Sequence, residues 1–445
     1  MQDTVTKVDF IISPSWIIPV VPPGEILSDY SVAVRGSKII SIHPSKSNKT
    51  LFQTDNVIEL KDHVLVPGFI NSHTHVAMNL LRGFADDLPL MKWLEDYIWP
   101  AESNFVSPDF AFDGSLSACY EMLRGGTTCF NDMYFFPEQT GKAAISLGMR
   151  AVLGITVIEF PTNYASDPQD YLTKGLATRD ELESEELIKF TMAPHSPYTV
   201  SDKTFKKISV LANQLQIPIH MHLHETNREI EESVKQHGQR PLHRLNDLGM
   251  LSPSFIGVHS VHLNDLEIAL LATQGCSVVH CPSSNLKLAS GFSPIGKLIR
   301  NNVNIAIGTD GAASNNKLDM ISEMRLSAIL AKAVDGNAET LPAHTALKMA
   351  TLGGARSLAI DHLTGSIEVN KLADLTAINL SEVETRPHFD IASLIVYSAG
   401  RENVTNVWVN GNRVVNNKQV TGISNESIIQ KNLYWKNKIE KSKNE

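Results

Sequence analysis

From Val64 onward, short apolar runs alternate with stretches in which apolar residues recur every three or four positions. The runs are Val64–His73, Thr127–Met133, Arg150–Val157, Ile188–Pro194, Ile217–Leu223, Phe255–Ser260, Cys276–Cys281 and Asn304–Asp310. They read as eight buried strands. Phe110–Leu123, Lys203–Leu215, Asn264–Thr273 and Leu318–Lys332 read as amphipathic helices between them. Gly125-Gly126 stands where the first of these helices should stop. Eight strand–helix repeats predict an α/β fold, a closed parallel (β/α)8 TIM-type barrel. An open doubly wound sheet would want a Gly-rich phosphate loop after an early strand, and the sequence has none.

The two ends of the chain have a different texture. Val8–Ile12, Tyr30–Arg35, Lys38–Ile42 and Val57–Leu60 read as short strands, with a hairpin at Gly36-Ser37. After about Leu363 the short strands return at Gly365–Glu368, Leu375–Leu380, Val404–Val409 and Arg413–Val415, with a turn at Asn410-Gly411-Asn412. The expected organisation is a small β-sandwich domain built from both ends, residues 1–64 and 366–420, around a barrel spanning 65–365. A polar helix, Glu426–Lys441, and its tail fill 421–445.

Composition narrows the classes. The chain has 445 residues, 42% of them hydrophobic and 20% charged, which is ordinary for a globular protein. A formal net charge of −9 argues against a nucleic-acid partner. No apolar run approaches the roughly 18–20 residues that span a bilayer, so no membrane partner is expected. The first residues show no signal-peptide pattern. Cys119, Cys129, Cys276 and Cys281 lack Cys-x-x-Cys spacing and sit in apolar segments. They read as buried free thiols in a cytoplasmic protein.

The chemistry collects at strand ends, where a parallel barrel places its active site. His73 and His75 close the first run. In a strand, residues i and i+2 point the same way, so the two imidazoles can converge on one metal ion. His195 ends the fourth run, His259 the sixth and Asp310 the eighth. The fifth carries His220, His222 and His224, followed by Glu225. Parity puts all three histidines on one face, so spacing alone does not single out a ligand.

The segments Pro67–His75, His222–Thr226, Pro282–Leu288 and Gly308–Asn316 resemble the amidohydrolase superfamily, in its branch of adenosine-type deaminases and triazine chlorohydrolases. The resemblance covers nearly the whole chain. In pattern it is most similar to the S-methyl-5'-thioadenosine/S-adenosylhomocysteine deaminases. It implies a barrel flanked by a β-sandwich. It also implies one divalent ion per subunit, Zn²⁺ with Fe²⁺ as the alternative, on His73, His75, His222 and Asp310. Dinuclear relatives carry a bridging lysine at the end of strand four, where this chain has His195.

The same resemblance implies hydrolytic deamination of an adenine nucleoside to its inosine analogue and ammonia. Metal-activated hydroxide would attack C6, with Glu225 protonating N1, Asp310 moving the water proton to the leaving amine and His259 orienting the nucleophile. Glu102 would accept hydrogen bonds from the ribose hydroxyls, His195 would contact purine or ribose, and Trp93 would pack on the far end of the ligand. Relatives that take S-adenosylhomocysteine well carry arginines after strand three. Here Ile158–Ala165 is largely apolar and aromatic, which suits a methylthio group better. S-methylthioadenosine is therefore the expected substrate, with S-adenosylhomocysteine and adenosine poorer. Guanine deaminase and triazine hydrolase are the enzymatic alternatives, and a metal-free structural relative is the remote one. A homodimer or homotetramer is implied by resemblance alone.

Overall fold

The computed structural model describes residues 5–442. Its centre is a parallel barrel of eight strands: β1 (Phe69–Thr74), β2 (Thr127–Asp132), β3 (Arg150–Val157), β4 (Ile188–Pro194), β5 (Ile219–Leu223), β6 (Phe255–His259), β7 (Ser277–His280) and β8 (Asn304–Ile307). Each strand neighbours the next in chain order. Helices cover the outside, so the strands are buried on both faces, which is why they read as continuous apolar runs. At the seam between β8 and β1, the Asp310 N–H donates to the His73 carbonyl at 3.0 Å. The Asn71 side chain adds two bonds there, accepting from the Thr309 N–H at 2.9 Å and donating to Thr309 Oγ1 at 2.7 Å.

The expected run Val64–His73 is two strands rather than one. Val57–Pro67 belongs to a separate nine-stranded sheet, and the chain enters the barrel only after Gly68. A Cβ at Gly68 would lie 2.1 Å from Thr128 Oγ1, so only glycine lets β1 lie this close to β2. The outer sheet draws on both ends of the chain. Leu375–Asn379 pairs antiparallel with Val57–Pro67, which pairs parallel with Phe10–Ile17. Ile12, Val34, Ile39, Leu65, Leu375 and Trp408 form its separate core. Gly365–Glu368 is irregular, contrary to the strand expected there; Gly365 at φ +91° is not extended.

Sheet and barrel are joined through a buried ion pair. Arg150 at the start of β3 donates from Nε to Asp374 Oδ2 at 2.9 Å and from Nη2 to Oδ1 at 3.2 Å. The C-terminal helix, Asn425–Ser442, buries Ile428, Trp435 and Ile439, while Ile429 and Tyr434 face outward. It is anchored to the helix Pro108–Arg124 by the Trp435 indole N–H, which donates to Asp113 at 2.9 Å.

Candidate active site

The strand ends converge as expected for a parallel barrel. Ligand-capable atoms of His73, His75, His222 and Asp310 all lie within 4.8 Å of one another. Thr74, between the two histidines, points away and donates to Asn131 O and Asp132 Oδ1. That alternation brings His73 Nε2 and His75 Nε2 each to 3.2 Å from Asp310 Oδ1.

The outer ring nitrogens are all engaged. His75 Nδ1 meets the Met133 carbonyl at 2.6 Å, and His222 Nδ1 meets the His195 carbonyl at 2.7 Å. His73 Nδ1 lies 3.0 Å from His220 Nε2. A carbonyl can only accept, so His75 and His222 donate from Nδ1 and turn Nε2 toward the cluster. Such partners behind a ligating imidazole are what orient it toward a metal. His73 Nε2 is buried with no hydrogen-bond partner. Burial also lowers the basicity of His73, to about 4, and of His222, which favours the neutral form, whereas Asp310 overcomes burial at His75 and raises it to about 9. Burial works to raise the Asp310 carboxyl, but His73 and His75 hold it well below the usual carboxylate range. The residues therefore fit a divalent cation.

The three histidines of the fifth run separate. His220 lies beneath the cluster as the partner of His73. His222 joins the cluster. His224 lies past the end of β5 with φ +51°, and its Nε2 accepts from the Leu242 N–H at 3.1 Å. Strand parity fails there because the backbone is no longer extended. Asp310 at φ +61° and His259 at φ +65° share this left-handed conformation, which is uncommon outside glycine.

Glu225 is buried beside the cluster, its Oε2 lying 3.8 Å from His259 Nε2. Its backbone N–H and that of His224 both donate to the Glu229 carboxylate at 2.9 Å. Burial, aided by Asp310, raises the Glu225 carboxyl against the pull of His259. His259 Nδ1 meets Asn285 Oδ1 at 2.7 Å, which fixes the ring.

A cavity of about 480 Å³ opens over these groups. His75, His222, Glu225, His259 and Asp310 line its floor, and Trp93, Glu102 and His195 line its walls. His73 lies below, fully buried. Glu102 sits on the short helix Trp99–Phe105 and accepts from the Tyr134 hydroxyl at 2.7 Å. Burial pushes its carboxyl up to about 7 despite Tyr134 and His75. His195 Nδ1 meets Thr199 Oγ1 at 3.0 Å. Phe160, Pro161 and Thr162 border the cavity, and among the described residues no lysine or arginine lines it.

Four contacts escaped the sequence reading. Ser284 Oγ and Ser314 Oγ donate to Asp310 Oδ2 at 2.5 and 2.7 Å. Asn285 holds His259, and Tyr134 holds Glu102. Ser284, Asn285 and Ser314 lie inside the quoted segments, but nothing in their spacing sets them apart from neighbouring polar residues.

Residues 64–414 match a family model described as the amidohydrolase family. The chain is 43% identical over 435 residues to a protein of Saccharophagus degradans named 5-methylthioadenosine/S-adenosylhomocysteine deaminase, with 98% of each chain covered. It is 45% identical over 378 residues to one of the same name from Thermodesulfovibrio yellowstonii, covering 85% of this chain and 86% of that one. Among solved structures it superposes on an adenosine deaminase from Xanthomonas campestris with bound zinc, at TM-score 0.97 and 44% identity, covering 98% of this chain and 100% of the other. An atrazine chlorohydrolase from Arthrobacter aurescens in complex with zinc shares the fold, at TM-score 0.90 and 22% identity over 96% of this chain and 99% of that one.

Proposed function

The chain belongs to the amidohydrolase family, and from that premise we propose that it deaminates the adenine ring of S-methyl-5'-thioadenosine, and more slowly of S-adenosylhomocysteine and adenosine. Water adds across the N1–C6 double bond, the bond from C6 to the exocyclic amine breaks, and the products are the inosine analogue and ammonia. The observation that carries this reading is the cavity over His75, His222, Glu225, His259 and Asp310 that also holds Glu102 on its wall. The named relatives support the substrate class.

In this reading His73, His75, His222 and Asp310 hold one divalent ion per subunit, Zn²⁺ by preference, with Fe²⁺ suited to the same imidazole-rich set. When bound, such an ion supplies Lewis acidity and a nucleophilic hydroxide near neutral pH. The side chains do the rest. Glu225, whose raised carboxyl keeps a proton available, donates to N1 and makes C6 electrophilic. Asp310 takes the proton of the attacking water and passes it to the departing amine. His259, held by Asn285, orients the nucleophile and steadies the tetrahedral carbon. Glu102 accepts from the ribose hydroxyls, His195 contacts the nucleoside and Trp93 packs on its far end.

The lining favours a thioether over an amino-acid zwitterion, because Phe160 and Pro161 border the cavity and no cationic side chain among the described residues faces a carboxylate there. The test is kcat/KM of the zinc-loaded protein on S-methylthioadenosine and S-adenosylhomocysteine. A clear excess for the first is expected. Equal values would remove the preference, and no inosine product from either would remove the deamination.

Assembly as a homodimer or homotetramer belongs to the same reading, and light scattering tests it. So does a cytoplasmic setting, which the four buried free cysteines support. Among the described residues no helix is long and apolar enough to cross a membrane.

A further inference from the structure

Glu102 reaches the cavity from a short helix on the long connection between β1 and β2. A glutamate there has several rotatable bonds, and its two oxygens can read a pair of hydroxyls only if its rotamer is fixed. Tyr134 supplies a fixed point. It follows β2, its ring is buried, and its own carbonyl accepts from Thr156 Oγ1 on β3 at 3.1 Å. The phenol is thus tied to the barrel frame and donates to Glu102 Oε1 at 2.7 Å. The helix itself is held from another side. The Asn163 amide nitrogen lies 3.2, 2.8 and 3.0 Å from the carbonyls of Glu102, Ser103 and Val106.

We infer that Tyr134 is a specificity-determining positioning residue, which orients Glu102 so that the site reads the ribose 2'- and 3'-hydroxyls. This inference rests on the reading of Glu102 as the ribose acceptor. The phenol O–H occupies one lone pair of Oε1 and leaves Oε2 and the rest of Oε1 for substrate. A bound nucleoside lacking both hydroxyls would leave those acceptors unpaired in a buried site, the condition under which polar sites discriminate most strongly. Without the phenol donor, Glu102 can turn to other partners, and its oxygens no longer converge on the hydroxyl pair.

The experiment measures kcat and KM for adenosine and 2',3'-dideoxyadenosine with zinc-loaded wild type, Y134F and E102Q. Zinc content and thermal unfolding are checked for each. Wild type is expected to favour adenosine by at least about 100-fold in kcat/KM. Y134F is expected to cut that ratio about tenfold, through KM for adenosine rather than through kcat. Two results overturn the inference while leaving Glu102 in place. One is a Y134F ratio equal to wild type when E102Q loses discrimination. The other is a Y134F defect equal for both nucleosides, which marks a merely structural role. If wild type does not discriminate, or E102Q discriminates as wild type does, the ribose reading of Glu102 fails and this inference falls with it. Should Y134F not fold, Y134M, which keeps apolar bulk without a donor, carries the same measurement.

Discussion

Replacing Ser284 and Ser314 by alanine probes whether Asp310 is preset to bind metal. Both hydroxyls donate to Oδ2, at 2.5 and 2.7 Å, while Oδ1 faces His73 and His75 at 3.2 Å each. The carboxylate is therefore split, with one oxygen held by serines and the other turned toward the histidine cluster. Both serines are buried, so no bulk water stands ready to replace them. A hydrogen bond to a charged group contributes about 1.5–3 kcal/mol. Each single alanine variant keeps one donor and is expected to lose about tenfold in zinc affinity. The double variant leaves Oδ2 buried without either hydroxyl, and about 3–5 kcal/mol of preorganisation should go. A loss of about 100-fold or more in affinity is then expected, in line with the effect of removing partners behind a ligand. The assay is zinc competition against a fluorescent chelator at fixed pH. Thermal unfolding of the metal-free proteins controls for general destabilisation. A double variant within threefold of wild type would refute the reasoning, because it would mean that the serines do not orient the carboxylate.

Other outcomes follow from the same geometry. Arg150→Met strands the Asp374 carboxylate in the interface between barrel and outer sheet, so denaturant unfolding should show a loss of about 3–5 kcal/mol, and adding Asp374→Leu should restore part of it. Glu225→Gln should keep its zinc by elemental analysis and lose about 10²–10⁴-fold in turnover; near-normal turnover would take Glu225 out of its acid role. Burial raises the Glu102 carboxyl to about 7, so it gains a proton as pH falls through that value and stops being acceptor-only. The adenosine KM, relative to that of 2',3'-dideoxyadenosine, should therefore rise toward pH 6 in wild type and stay flat in E102Q.

Much of this arrangement was legible in the chain before folding. The apolar runs mark the barrel strands because a parallel sheet buries both faces, and β3 and β4 begin and end where their runs do. His73-x-His75 was legible as a pair because alternation is a property of any strand. Asp310 was legible only as a strand-end residue, since its left-handed backbone lies beyond the last ladder bond of β8. The division of His220, His222 and His224 was not open to parity, which assumes extended backbone through His224, where φ is +51°. Resemblance selected His222, and the cluster includes it. The break between the two strands is marked in the chain by Pro67-Gly68, but the need for glycine there is not, because it comes from the closeness of Thr128, a residue sixty positions away. Ser284 and Asn285 reach Asp310 and His259 from the helix Pro282–Lys287, Ser314 bonds back to Asp310 four residues earlier, and Tyr134 reaches Glu102 from the segment after β2. Such contacts leave no periodic trace along the chain.

The most direct test of the account is ammonia release by zinc-loaded protein, assayed side by side on S-methylthioadenosine, S-adenosylhomocysteine, adenosine, guanine and a chlorotriazine, with a chelated sample as control. Fastest release is expected from S-methylthioadenosine, with loss of activity on chelation and recovery on adding Zn²⁺. Release from guanine alone, dechlorination of the triazine with no nucleoside turned over, or full activity in the chelated sample would contradict it.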